Sequence, residues 1–260
     1  SGGQSLLPLL KLRLGTVEHL IDIGGIPGLA TIEEDGGFLR IGGCTREVQL
    51  ERSDLIRSKY PILADATAVI ADPLVRNMAT VGGNLAHGDP ANDHPAVMLA
   101  LGAEIVARGA GGERTIAAAE FFKGLFTTAL EPDEILTEIR IPVPGKRTAG
   151  AYVKLERKVG DYATAASAAQ LTLDSGGVIE RVGIGLTAAG PTPVKAAAAE
   201  EYLVGKKGSD DAALAEAGRL ASEAASPTAD RRGSVEYKRE MARVLTTRAL
   251  RKAVERAGGR

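Results

Sequence analysis

A chain of 260 residues with 44% hydrophobic and 25% charged side chains is long enough for two compact domains, each with a packed core. Its 32 basic residues against 33 acidic ones give a net charge of −1, so it offers no electrostatic footprint for a nucleic-acid backbone. A single cysteine, Cys44, excludes a disulfide framework and any iron–sulfur cluster held by this chain's own thiolates.

Arg251, Lys252 and Arg256 cluster near the C-terminus, but Glu255 stands among them and the group reads as a solvated helix face. No apolar run approaches the roughly 18 residues that span a bilayer, and no charged-then-apolar leader opens the chain. The expected location is the cytoplasm, either free or peripheral at the inner face of the cell membrane. Ser1-Gly2-Gly3-Gln4-Ser5 begins in the middle of what reads as a turn. Glycine pairs of this kind usually follow a strand, so a strand and a helix are expected upstream of Ser1.

In chain order, Leu6 to Leu14 predicts a short helical turn capped by Ser5, whose side-chain oxygen can satisfy free N–H groups of the first turn. Leu20–Ile23 and Phe38–Ile41 predict short strands between the glycine turns Gly24-Gly25 and Gly36-Gly37. Thr45 is expected to cap a short helix, with Glu47 near its positive end. An alanine-rich helix from Leu63 to Ala71 should stop at Asp72-Pro73. Asn92 or Asp93 caps the next helix, with Pro95 in its first turn. Glu104–Arg108 and Arg114–Ile116 flank Gly109-Ala110-Gly111-Gly112 as a hairpin. Ile135–Ile141 alternates, with Ile135, Thr137, Ile139 and Ile141 on one face and Leu136, Glu138 and Arg140 on the other.

Gly145 to Gly150 reads as a linker. It divides an N-terminal unit of residues 1–145, with lobes of about 1–52 and 53–145, from a C-terminal unit of residues 146–260. Beyond it, Tyr152–Arg157, Ala166–Asp174 and Val178–Leu186 predict three strands, the last two joined at Ser175-Gly176-Gly177. Three helices should follow. The first opens on Thr192 and Pro193, the second on Ser209-Asp210-Asp211, and the third runs from about Ser234 to Ala257. The third would bury Tyr237, Met241, Val244, Leu245, Leu250 and Val254. The fold class is α+β, with a small antiparallel sheet packed on a helical bundle at the C-terminal end.

Two glycine loops stand out by context. Ser1-Gly2-Gly3-Gln4-Ser5 precedes an apolar helical turn, and Thr80-Val81-Gly82-Gly83-Asn84 precedes the polar segment His87 to Asp93. Backbone N–H groups in such nests bind anions such as pyrophosphate, and glycine permits the close approach. Each loop taken singly is more often a plain turn. Together they describe a dinucleotide held between two lobes. His19, His87 and His94 lack metal-site spacing. Gly183-Ile184-Gly185 imitates a Rossmann fingerprint, but Pro191 and Pro193 prevent a helix from opening there. Ser5 has no histidine and acid partners that would make it a hydrolase nucleophile.

With Lys158-Val159-Gly160-Asp161-Tyr162-Ala163 added to Ser1–Pro8 and Ala79–Asn84, the sequence resembles the FAD-binding medium subunits of aerobic carbon monoxide dehydrogenases. More loosely it resembles the flavin domain of xanthine dehydrogenases, molybdenum hydroxylases of the same family. The resemblance covers essentially the whole chain and implies a two-lobed FAD-binding domain of the vanillyl-alcohol-oxidase type. It implies that Ser1, Gly2, Gly3, Gln4, Ser5 and Leu6, with Thr80, Val81, Gly82, Gly83 and Asn84, wrap the FAD pyrophosphate. Ile70 matches an apolar position near the cofactor and Asp93 a carboxylate that contacts it. Leu136 and Lys154 match positions near the isoalloxazine, and Tyr162 matches a tyrosine that covers the ring. The sequence departs from the pattern at Gln4, where histidine is also usual.

The resemblance further implies an electron-transfer subunit with no catalytic acid–base residue of its own. Its partners would be a large subunit carrying the molybdenum cofactor and a small subunit carrying iron–sulfur clusters, in a dimer of heterotrimers. Electrons would leave FAD for a quinone, NAD or another acceptor. The competing readings are a self-contained FAD-dependent oxidoreductase of the same fold, a non-catalytic binding module, and a flavin subunit serving xanthine, aldehydes or N-heterocycles.

Overall fold

The computed structural model describes residues 1–258, so the last two positions of the expected C-terminal unit lie outside the described residues. The N-terminal half contains α1 (Leu6–Lys11), β1 (Ile32–Asp35), β2 (Phe38–Gly42), α2 (Glu47–Arg52), α3 (Asp54–Lys59), α4 (Pro61–Ala68), α5 (Pro73–Arg76), α6 (Val81–His87) and α7 (Asp93–Leu101). There follow β3 (Glu104–Gly109), β4 (Gly112–Ala117), α8 (Ala118–Phe121), β5 (Phe122–Gly124), β6 (Thr127–Thr128) and β7 (Ile135–Pro142). The remainder is β8 (Thr148–Glu156), β9 (Ala163–Leu173), β10 (Ile179–Thr187), β11 (Val194–Lys195), α9 (Ala197–Leu203), α10 (Asp211–Ala224) and α11 (Val235–Gly258).

Five strands form one antiparallel sheet in the order β1-β2-β7-β3-β4, and four form a second in the order β11-β10-β9-β8. The α+β class therefore holds, with one short strand more than expected in the C-terminal sheet. β9 is buried along almost its whole length because both faces of this sheet are covered. Ala166 and Ala168 join the core that contains α7, whereas Ala169 and Leu171 join the core that contains α10 and α11. Helix α7 is buried at all nine positions, sandwiched between the two sheets.

Glycine sets the closeness of that packing. A Cβ on Gly183 would lie 2.1 Å from the Ala100 carbonyl oxygen, and one on Gly185 would lie 2.0 Å from that of Ala96. These glycines sit in β10 and let α7 approach the sheet, which accounts for the false nucleotide-binding fingerprint.

Several expectations are corrected. Leu20–Ile23 forms no strand, because no neighbour among the described residues supplies a ladder to it. Leu20 and Ile21 are 60% and 80% exposed. Conversely, β1 escapes the sequence reading. It pairs with β2 across Gly36-Gly37, both at positive φ, as a two-residue hairpin requires. Ser5 stands at the helix start in the αR region and makes no capping bond. Thr45 does not cap α2. Its hydroxyl donates to the Thr31 carbonyl, and Arg46 takes the cap position with its N–H held by Gln49 Oε1 at 2.8 Å.

The alanine-rich helix ends at Ala68, and Asp72 caps α5 instead, accepting the Val75 N–H at 2.9 Å. On β7 the alternation breaks at Thr137, the extra residue of a bulge opposite Val106 and Ala107. The bulge turns Leu136 into the core with Ile139 and Ile141 and leaves Ile135 exposed. The expected linker is shorter, since β8 starts at Thr148. Thr192 and Pro193 lead into β11, so the following helix begins only at Ala197. α11 buries Ala242, Thr246, Ala249, Leu250 and Ala253, and leaves Tyr237 exposed. Small side chains serve there because the helix lies flat on β8 and β9, where Thr246 Oγ1 bonds Ser167 Oγ at 3.0 Å.

Candidate functional site: a cleft between two glycine loops

A cleft of about 640 Å³ opens where the first glycine loop meets the start of α6. Gly2 and Gly3 both take left-handed backbone conformations, φ +66° and +74°. That path brings Gly2 so close to the neighbouring segment that a Cβ would lie 2.8 Å from the Met78 carbonyl oxygen. The loops are then joined directly: Ser1 Oγ lies 2.9 Å from Thr80 Oγ1, which caps α6 by accepting the Gly83 N–H at 3.1 Å. A Cβ on Gly83 would project between these hydroxyls, 2.8 Å from Thr80 Oγ1 and 3.1 Å from Ser1 Oγ.

Ser1, Gly2, Gly3, Gln4, Ser5, Leu6, Ile70, Thr80, Gly83, Asn84, Asp93 and Tyr162 all line this one cleft. Four expected residues do not. Val81 is packed in the core, and Gly82 lies against Gly43, whose carbonyl oxygen a Cβ on Gly82 would meet at 2.5 Å. Leu136 is buried on β7 on the far side of Gly43, and Lys154 stands behind the wall. The cleft also takes in residues that no functional role had picked out. Ala79, Gly160, Asp161, His87 and Asn92 lie inside or beside the loops singled out by motif. Leu9, Ala71, Val75 and Ala86 are small or apolar residues that carry no sequence signal of a site.

Burial organises the electrostatics. Asp93 is buried at the first position of α7, and loss of hydration raises its pKa above the usual carboxylate value. Lys154 and Tyr152 pull in the opposite direction: the Lys154 ammonium lies 3.1 Å from Asp93 Oδ2, and the Tyr152 hydroxyl donates to Asp93 Oδ1 at 2.6 Å. Lys154 also bonds the Val69 carbonyl at 3.0 Å and pairs with Glu156 at 3.3 Å. Glu156 in turn accepts the Gly160 N–H, tying this cluster to the loop that carries Tyr162. Gly160, at φ +79°, runs so close to Ala71 that a Cβ would lie 2.6 Å from its carbonyl oxygen.

Asp161 is held by Arg232, whose guanidinium donates to Oδ1 at 2.7 Å and keeps the carboxyl below its ordinary range. The same guanidinium lies 6.0 Å from the Tyr162 ring centroid, within cation–π reach. Arg232 comes from the segment between α10 and α11, so the C-terminal half supplies part of the cleft's lip. Asn84 Oδ1 is buried at the wall without a hydrogen-bond partner, an acceptor that a ligand's donor would satisfy.

Two family models account for nearly the whole chain. Residues 1–144 match the FAD-binding domain in molybdopterin dehydrogenase, and residues 150–253 match the C-terminal domain of carbon monoxide dehydrogenase flavoprotein. The chain belongs to this family of molybdopterin dehydrogenase flavoproteins, as an FAD-binding oxidoreductase subunit. It is 46% identical to the carbon monoxide dehydrogenase medium chain of Afipia carboxidovorans, over 100% of this chain and 88% of the relative. It is 38% identical to the glyceraldehyde dehydrogenase medium chain of Sulfolobus acidocaldarius, over 96% of this chain and 88% of that one. A crystal structure of cyanide-inactivated Cu,Mo-CO dehydrogenase superposes with a TM-score of 0.95 at 45% identity, covering 98% of this chain and 89% of the other.

Proposed function

We propose that this chain holds FAD in the cleft between its two glycine loops and passes electrons through it as the medium subunit of a molybdenum hydroxylase. The observation that carries the site is the convergence of both glycine loops on one cleft of about 640 Å³. A Cβ on Gly83 would press on Thr80 Oγ1 and Ser1 Oγ, whose mutual hydrogen bond joins the two loops at the cleft's rim. The residues fit the cofactor. The left-handed path of Gly2 and Gly3 shapes the first loop for a diphosphate, while the N–H groups of Val81 to Asn84 are already bonded to Thr45, Gly43 and Thr80; Asp93 and the unpartnered Asn84 oxygen offer acceptors for hydroxyl or N–H donors.

FAD, when bound, accepts electrons singly or in pairs and so joins one-electron donors to a two-electron acceptor. This chain's own residues bind and shield. Ser1–Leu6, with Thr80, Gly83 and Asn84, would hold the diphosphate, while Val81 and Gly82, whose N–H groups are bonded to the Thr45 and Gly43 carbonyls, fix the start of α6 from behind. Ile70 would supply apolar contact, and Tyr162, held in the cleft wall by its loop, would shield the flavin from water. Lys154 and Leu136 stand outside the cleft wall. Lys154 therefore acts on the cofactor through Asp93, with its charge offset by two carboxylates rather than delivered bare to a flavin edge.

The partners in this reading are a large molybdenum-cofactor subunit and a small iron–sulfur subunit, arranged as a dimer of heterotrimers, with a quinone or another carrier as acceptor. The location in this reading is the cytoplasm or the inner membrane face. No helix among the described residues is long and apolar enough to cross a membrane. Carbon monoxide is the favoured substrate of the complex, supported by 46% identity to a carbon monoxide dehydrogenase medium chain against 38% to a glyceraldehyde dehydrogenase one.

The test is purification of the native protein. Co-purification with two subunits of different size, a flavin spectrum, and carbon monoxide-dependent dye reduction are expected. A colourless protein that takes up no added FAD overturns the site. A flavoprotein complex that oxidises an aldehyde and leaves carbon monoxide untouched overturns the substrate alone.

A further inference from the structure

β8 carries Tyr152, Lys154 and Glu156 at alternate positions, so their side chains project from one face of the strand. On that face Tyr152 and Lys154 meet Asp93, which belongs to the cleft wall. Tyr152 Oη holds Asp93 Oδ1 at 2.6 Å, and Lys154 Nζ holds Oδ2 at 3.1 Å. Thr187 Oγ1, on β10 beyond the intervening strand β9, lies 3.3 Å from the same tyrosine hydroxyl. A carboxylate can accept about four hydrogen bonds, so one partner on each oxygen leaves acceptor capacity directed away from β8, toward the cleft. Tyr152 is only 4% exposed and does not line the cleft, so any effect on a ligand must pass through Asp93.

We infer that Tyr152 is a positioning residue of the cofactor site: with Lys154 it fixes the plane of the Asp93 carboxylate, leaving its free lone pairs to accept a hydroxyl or N–H of the bound flavin nucleotide. The inference rests on the FAD reading above. Phenylalanine would fill the same core volume. What it would lack is the donor, and a buried hydroxyl is retained at a desolvation cost that its bond to Asp93 offsets.

The charged groups around Asp93 define what its loss would do. Lys154 faces it from β8 with Glu156 paired behind that lysine, His94 follows it on α7 with Glu47 bonded behind, and Tyr162 stands with it in the cleft wall. Burial already raises the Asp93 pKa, and the Tyr152 hydroxyl is one of the groups pulling it back. Without that donor the carboxylate takes up a proton at higher pH and offers the ligand one acceptor oxygen fewer.

The experiment titrates FAD into the cofactor-stripped full-length protein and its Tyr152→Phe, Asp93→Asn and double variants, normalised to folded protein, across a pH series. Wild-type affinity should weaken on the acid side. Tyr152→Phe should bind about tenfold more weakly near neutral pH and move the acid limb upward by about one pH unit. Asp93→Asn should remove the limb, and adding Tyr152→Phe to it should change affinity by less than about twofold, as a shared pathway requires. Unchanged affinity and pH profile in Tyr152→Phe, with normal wild-type binding, overturns this inference and leaves the FAD reading intact. A Tyr152→Phe chain that does not fold assigns the hydroxyl to stability and overturns it too. A wild-type protein that binds no FAD at any pH overturns both.

Discussion

Lys154 and Asp93 form an ion pair 3.1 Å long in which the two side chains are 2% and 8% exposed. Removing Lys154 leaves the buried Asp93 carboxylate with only the Tyr152 hydroxyl and takes the cation from Glu156, whereas removing Asp93 leaves Lys154 its pair with Glu156. Lys154→Met should cost about 3 kcal/mol in unfolding free energy. Adding Asp93→Asn should recover a large part of that, because the stranded charge goes with it. Urea unfolding of the single and double variants measures both. Equal losses in the two variants would show that packing of the lysine stem, not its charge, carries the effect.

Gly83→Val should deplete the flavin without unfolding the chain. The new side chain would sit against Thr80 Oγ1 and Ser1 Oγ, both at the rim of the cleft. The expected flavin content is below about a tenth of wild type, consistent with a loss of more than 1.4 kcal/mol in binding. Absorbance ratios read the flavin and far-ultraviolet circular dichroism checks the fold. Full flavin content in a folded Gly83→Val protein removes this loop from the site.

Gly185→Ala should do the opposite. Its Cβ would lie 2.0 Å from the Ala96 carbonyl oxygen, at the contact between α7 and β10. Overpacking of this kind costs about 1–3 kcal/mol. Thermal unfolding should move to lower temperature while the flavin content of the remaining folded protein stays unchanged.

His94 and Glu47 are completely buried and face one another, with Nε2 to Oε2 at 2.8 Å. Burial works against the imidazolium, but the Glu47 carboxylate outweighs it and raises the His94 pKa above its ordinary 6.5. A histidine that holds its proton more tightly when folded stabilises the protein fully below 6.5, and that stabilisation fades as pH rises through the folded-state value. The thermal midpoint should therefore fall on going from about pH 6 to 9, with a shallower fall in His94→Gln. Identical slopes would mean that His94 does not titrate in that window.

Arg232→Ala should loosen the lip of the cleft. The guanidinium is the link by which the α10–α11 segment holds Asp161 and lies beside Tyr162. On the proposed reading, iodide should quench the flavin fluorescence of the variant more strongly than that of the wild type. Equal quenching would show that the loop is held by Gly160 and Glu156 without help from Arg232.

Much of this was legible in the sequence where the determining interaction is local. The hairpin at Gly109–Gly112, the strands of the C-terminal sheet and the cap at Asp210 follow from neighbours a few residues apart. So do the two glycine loops: the first because backbone that must run at positive φ announces itself as glycine, the second because Gly82 and Gly83 let the start of α6 approach Gly43 and Ser1. Which residues touch one another across the chain was decided by tertiary structure alone. A bulge at Thr137 reversed the faces of Leu136 and Ile135, and α11 buried alanines and threonines because a flat sheet lay beneath it. Lys154 and Tyr152 acquired their roles from Asp93, 61 and 59 residues away along the chain. The sequence by itself determined that two glycine loops exist. Only the fold placed Ser1 against Thr80 and a lysine–tyrosine strand behind Asp93, because a long-range contact depends on packing that no local pattern encodes.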